Sequence, residues 1–135
     1  MAYLEWSDKL SVNVREIDTQ HKKLVDMINE LHGSMRSQQG KDLQAKIIND
    51  MCSYAKVHFA TEERYMQRTG YADFDAHKKE HEAFAVKALE LQERMQRAGF
   101  VLKLEVLNFL KDWLQNHILG TDKKYSAHFN AKGIN

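Results

Sequence analysis

A chain of 135 residues with 43% hydrophobic and 29% charged residues is long enough to bury one core and too apolar to be disordered. Its formal net charge of +1 gives no electrostatic reason to expect nucleic acid as a partner. No apolar run approaches the roughly 20 residues a bilayer helix needs, and the acidic start of the chain lacks a basic stretch followed by an apolar one, so neither a membrane span nor a secretion signal is expected.

Proline is absent and the six glycines are scattered, so little would break a helix, and the aliphatic residues recur at helical spacing. Residues 1–17 are the exception. Leu4, Trp6, Leu10, Val12, Val14 and Ile17 follow no helical period, which predicts an extended arm lying over a hydrophobic seam.

The first helix is expected over about 19–38, with Asp18 or Thr19 as N-cap and an inner stripe of His21, Leu24, Val25, Ile28, Leu31, His32 and Met35. Gly40 closes that unit. The second, over about 42–68, carries Leu43, Ile47, Met51, Ala55, His58, Glu62 and Tyr65 at steps of three and four, with Gly70 as its stop. The lone cysteine, Cys52, falls here; it excludes an intrachain disulfide, fits a cytoplasmic location and reads as a small core residue.

The third helix, over about 74–98, is expected to begin after Asp73, end at Gly99 and turn His77, His81, Phe84, Ala88, Leu91 and Met95 inward. The fourth, over about 101–127, has Leu102, Val106, Phe109, Leu110, Trp113 and His117 as its stripe, interrupted at Gly120. Four long helices with short connections predict an all-α, up-down-up-down antiparallel four-helix bundle, one domain over 1–135.

Polar residues on these inner stripes carry the chemistry. His58 and Glu62, like His77 and His81, are four apart and so lie one above the other on a helix face. Bare imidazoles and carboxylates inside a bundle cost several kcal/mol, and a bound metal removes that cost. His21 falls near the start of the first helix, His58 and Glu62 near the end of the second, His77 and His81 near the start of the third, and His117 and Asp122 near the end of the fourth. In an antiparallel bundle those four places meet at one end.

Five imidazoles, two carboxylates and no thiolate suit iron or another borderline first-row metal better than calcium or magnesium. Seven side chains overfill one ion. If Glu62 and Asp122 each bridge, the protein supplies nine of the twelve positions around two six-coordinate ions, and a solvent-derived oxo or hydroxo bridge brings this to eleven, leaving one vacancy for a small diatomic ligand.

The order His21, then His58-Phe59-Ala60-Thr61-Glu62, then His77-Lys78-Lys79-Glu80-His81, then His117-Ile118-Leu119-Gly120-Thr121-Asp122 resembles the hemerythrin family, and within it the single-domain bacterial members, over essentially the whole chain. The resemblance implies that His77, His81 and His117 hold one iron, that His21 and His58 hold the other, and that Glu62 and Asp122 bridge them. It further implies that O2 binds reversibly at the iron with two histidines, taking an electron from each ferrous ion and a proton from the bridge.

Reversibility needs a dry site. Phe59, Trp113, Leu114 and Ile118 flank the ligands and would form an apolar wall, although ordinary core packing asks for the same residues. Five residues from His117 to Asp122 amount to about 500°, about 140° off one face of a regular α-helix, so a π-type bulge or a break is expected around Gly120. His32 reads as structural, His128 as exposed, Glu63 as pointing away into solvent, and the Lys and Glu run at 78–82 as the wet side of its helix.

The function expected is carriage, storage or buffering of O2 by a non-enzymatic monomer that supplies an oxygen-consuming recipient. An O2 or NO sensor, or a di-iron oxidase or peroxidase at the same site, are the alternatives. A sensor usually needs an attached output domain, for which 135 residues leave no room. The histidine-rich donor set also has fewer anionic ligands than the Glu-rich sites of ferritin-like enzymes.

Overall fold

The computed structural model describes residues 3–36, 40–97 and 101–135. Among them there is no strand, and the chain forms an all-α, up-down-up-down four-helix bundle with an N-terminal arm. Helix α1 spans Arg15–Arg36, α2 Lys41–Thr69, α3 Phe74–Met95 and α4 Leu104–Asn116. A π-helical turn over His117–Asp122 then leads into α5, Lys123–Ala131, which continues the fourth helix of the bundle. The expected helix ends at Gln38 and Gly99 lie outside the described residues. No helix among those described is long and apolar enough to cross a membrane.

The arm is not wholly extended, because Asp8–Leu10 forms a single 3-10 turn. It does cover a seam: Leu4, Leu10, Val12 and Val14 are buried. Polar clasps fix it at both ends. Asn29 accepts the Leu4 N–H and donates to the Leu4 carbonyl, each at 2.9 Å, while Ser126 donates to the Val12 carbonyl at 2.6 Å.

Helix α1 starts earlier than Asp18, which is therefore not its N-cap. The Asp18 N–H already bonds the Val14 carbonyl at 2.9 Å, and its carboxylate reaches back to accept the Val12 N–H at 2.8 Å and the Ser11 hydroxyl at 2.6 Å. Asn13, at φ 58°, makes the corner between arm and helix in the left-handed conformation that asparagine tolerates. At the other end of the next helix Gly70, at φ 67°, terminates α2 as a left-handed C-cap.

All six expected inner residues of α3 are buried. The stripe on α4 needs correction. Leu107, Leu110 and Leu114 face the core, whereas Phe109 is 43% exposed, because the inward register follows the three- and four-residue steps that end on His117 and Phe109 sits one residue off it. Leu43, near the start of α2, is likewise exposed at 37%. Cys52 is buried in the core, as its apolar surroundings in α2 suggest.

Candidate metal centre

At one end of the bundle His21 from α1, His58 and Glu62 from α2, His77 and His81 from α3, and His117 and Asp122 from the fourth helix come together. All seven are buried. They fall into two overlapping groups whose donor atoms lie within 4.8 Å of one another: Glu62, His77, His81, His117 and Asp122 in one, and His21, His58, Glu62 and Asp122 in the other. The two carboxylates belong to both.

The π turn is what brings the last two donors to the same place. The Lys123 N–H bonds the Ile118 carbonyl, five residues back, and widening the helix in this way stacks His117 over Asp122. Glycine is not the cause. A Cβ added at Gly120 would meet nothing within 4 Å.

Asp122 offers one oxygen to each group. Its Oδ2 lies 3.1 Å from His21 Nε2, and its Oδ1 lies 2.8 Å from His77 Nε2 and 3.0 Å from His117 Nε2. Glu62 is placed differently: its Oε1 faces both groups, 3.2 Å from His58 Nε2 and 3.2 Å from His81 Nε2, while its Oε2 accepts a hydrogen bond from the Tyr125 hydroxyl.

These approaches are close, but they are not hydrogen bonds. Both Asp122 oxygens, Glu62 Oε1, and both ring nitrogens of His21 and of His77 are buried without a hydrogen-bond partner. Nε2 of His81 and Nε2 of His117 also face each other at 3.2 Å, nitrogen to nitrogen. Lone pairs aimed at common points, rather than at one another's protons, are the arrangement of ligands around cations. Imidazole and carboxylate donors in this ratio fit iron.

Without a cation the donors act on one another. Burial raises the Asp122 carboxyl, yet His117, His21 and His77 overcome this and hold it well below its usual value. Burial and the charge of Asp122 push Glu62 up, and His58 and His81 outweigh them and bring it down. Burial lowers His58, which stays below its ordinary value despite Glu62. Burial also works against His117, but Asp122, Glu62 and Glu80 carry it up to about 9.

Three of the five outer ring nitrogens, those of His58, His81 and His117, find partners that sequence reasoning missed. His58 Nδ1 donates to the Gln20 amide oxygen at 2.8 Å, and Gln20 in turn donates to Thr61 at 3.1 Å. His81 Nδ1 donates to Glu63 at 2.9 Å, which corrects the expectation that Glu63 points into solvent. His117 Nδ1 donates to Glu80 at 3.3 Å, so Glu80 reaches a ligand although it stays exposed on the wet face of α3 expected for residues 78–82. Each long side chain leaves its own helix sideways and reaches the neighbouring one. The signal available in the sequence was a polar residue immediately beside a ligand.

Tyr125 was also overlooked, although a tyrosine on a core stripe needs a partner for its hydroxyl. It is fully buried and its ring stacks on His77 with centroids 5.6 Å apart. Burial, then Glu62 and Asp122, raise its phenol well above the ordinary value, so it remains a donor.

The expected apolar residues surround the donors. Phe59 stacks on His81 at 3.9 Å and Trp113 on His117 at 4.5 Å; Leu114 and Ile118 are buried and Trp113 is half-buried. Phe59, Trp113 and Leu114 also line an apolar cavity of about 20 Å³ shared with Leu24, Ile28 and Met51. The remaining histidines lie apart. His32 stacks on Tyr3 at 4.4 Å. His128 is half-buried rather than exposed, because its Nε2 donates to the Thr69 carbonyl at the end of α2, at 3.0 Å.

A family model described as the hemerythrin HHE cation binding domain matches residues 12–129. The chain belongs to the hemerythrin family. A bacteriohemerythrin of Methylococcus capsulatus is 38% identical, with 97% of this chain and 100% of that protein aligned. One of Pseudomonas aeruginosa is 42% identical over 93% of this chain and 80% of its own length. A solved structure described as wild-type hemerythrin superposes with a TM-score of 0.87 at 34% identity, covering 93% of this chain and 97% of that one. Membership of a hemerythrin family implies non-haem iron, and the seven converging donors make a hemerythrin-type site that fits it.

Proposed function

We propose that this chain binds O2 reversibly at a pair of iron ions and serves as a carrier, store or buffer of oxygen rather than as an enzyme. The observation that carries the reading is the uneven division of five imidazoles around two shared carboxylates. His77, His81 and His117 would hold one ion and His21 and His58 the other, with Asp122 and Glu62 common to both. The second set is one donor short, and that is where a small ligand has room.

When bound, the iron pair supplies the electrons that O2 binding requires and recovers them on release. The side chains provide the conditions for that reversal. Phe59, Trp113, Leu114 and Ile118 keep water from the donor groups, since water or stray protons would divert the reaction toward irreversible oxidation. The small apolar cavity beside Phe59 and Leu114 has the size and dryness suited to a diatomic molecule. Tyr125 holds Glu62 Oε2, so that carboxylate is fixed before any cation arrives.

The test is the visible absorption of the purified, iron-loaded protein as air is removed and restored, with iron per chain measured on the same sample. Colour that fades and returns over repeated cycles, at two irons per chain, supports the reading. A spectrum indifferent to oxygen, or far less iron than that, defeats it. His117→Ala should lose iron while His128→Ala keeps it; equal loss would show the donor set to be wrong.

A further inference from the structure

Three polar side chains around the site share one arrangement. Gln20 sits beside His21 on α1 and holds His58 on α2, at 2.8 Å. Glu63 sits beside Glu62 on α2 and holds His81 on α3, at 2.9 Å. Glu80 sits beside His81 on α3 and holds His117 on the fourth helix, at 3.3 Å. Each of the first three helices therefore sends a brace, from the position next to its own ligand, to a ligand of the next helix.

The braces differ in charge. His81 and His117 donate to carboxylates, and both belong to the three-histidine group. His58, in the two-histidine group, donates to a neutral amide. A carboxylate accepting the outer N–H draws the proton away from the ring and makes the inner nitrogen a stronger donor, and a neutral amide does so less. Glu80 has a second task. The same carboxylate accepts the Thr121 hydroxyl at 2.9 Å and 3.0 Å, so it grips both His117 and Thr121 and spans the π turn between the last two ligands.

We infer that Glu63 and Glu80 are positioning residues that act through His81 and His117 to make the three-histidine group the stronger electron donor, and that Gln20 keeps the two-histidine group weaker. The asymmetry of the site is then set by charge in the surrounding shell as well as by ligand number. Glu80 additionally locks the π turn. The inference rests on the two-metal reading proposed above.

The experiment compares anaerobically iron-loaded wild type with Glu63→Gln, Glu80→Gln, Gln20→Glu and Thr121→Val, reading the rate of iron loss to a chelator and the midpoint potential of the bound iron. Glu63→Gln and Glu80→Gln should weaken iron retention about 10- to 100-fold and raise the potential. Gln20→Glu should lower the potential, because it adds a charged acceptor where a neutral one stood. A merely structural role would not reverse that sign. Thr121→Val keeps every ligand and brace and should hasten iron loss without moving the potential.

Wild-type retention and potential in both glutamine variants would overturn the inference, as would Gln20→Glu shifting the potential in the same direction as Glu63→Gln. Glu63→Asp guards against misfolding: recovery of potential with the charge supports the inference, and a loss equal to that of Glu63→Gln assigns the effect to packing and overturns it. Wild-type protein that retains no iron would instead defeat the two-metal reading itself.

Discussion

Metal-free protein should become less stable between pH 6.5 and pH 9, and His117 should be the reason. Its imidazole, resisted by burial but favoured by Asp122, Glu62 and Glu80, titrates at about 9 in the folded chain, against 6.5 ordinarily. Within that window the folded state holds a proton the unfolded state has released. The stabilisation is therefore fully present below pH 6.5 and is lost as pH rises through 9. At about 1.36 kcal/mol per pH unit the gap corresponds to about 3 kcal/mol, or a fall in melting temperature of about 10 °C for a domain of this size.

The assay is thermal unfolding of chelator-treated protein followed by far-ultraviolet circular dichroism, from pH 6.5 to pH 9. The upper limit matters, because burial raises the Cys52 thiol above its ordinary 9.0 and adds its own loss of stability at higher pH. His117→Gln should start from a lower melting temperature and change little over the same range. A wild-type melting temperature that is level or rises, or that falls equally in His117→Gln, would refute the reasoning. Iron loading should flatten the wild-type profile as well, since a cation on Nε2 displaces the proton.

Tyr125→Phe removes the only donor to Glu62 Oε2 among the described contacts and should cost about 1.5–3 kcal/mol in urea unfolding of the metal-free protein; an unchanged midpoint would show that the hydroxyl contributes nothing there. Asp18→Ala loses the bonds to Ser11 and Val12 and should cost about 1–3 kcal/mol, with limited proteolysis cutting first in the arm. Gly120→Ala meets no neighbour and should leave iron content intact while stabilising by about 0.4–1 kcal/mol; loss of iron would mean that the π turn does depend on glycine.

The sequence made the bundle legible because its punctuation is simple: no proline, a glycine at the end of α2, and inner stripes of aliphatic residues at helical steps. The convergence of the seven donors followed from their positions along four antiparallel helices, and a departure from α geometry between His117 and Asp122 followed from their five-residue step, although only the structure chooses the π turn over a break. The register of α4 was harder to read. Its aliphatic and aromatic residues, Leu104, Val106, Leu107, Phe109 and Leu110, are dense enough to support two stripes, and only packing chooses between them.

What the sequence concealed was the outer contacts, and for one reason. A helical wheel places Glu63 about 100° from Glu62 and Glu80 about 100° from His81, and from this each reads as solvent-facing. Helix axes in a bundle are only about 8–10 Å apart, so a glutamate leaving one helix sideways reaches the flank of the next. Direction around one's own axis does not decide what a side chain reaches when a neighbouring helix lies within its length. The same point explains His128, which closes on the Thr69 carbonyl across the end of α2.

The π turn and the buried carboxylates belong to one thermodynamic arrangement. Burying Glu62 and Asp122 costs several kcal/mol per charge unless each is paired, and a π turn is a less favourable helix than the α geometry on either side of it. In the metal-free chain the His117 imidazolium offsets part of the first cost, and Glu80, bonded to both His117 and Thr121, steadies the second. A cation that replaces that proton takes over the same carboxylates without rebuilding the helix. The scaffold is thus arranged for its ligand before the ligand binds, and loading should change protonation far more than shape.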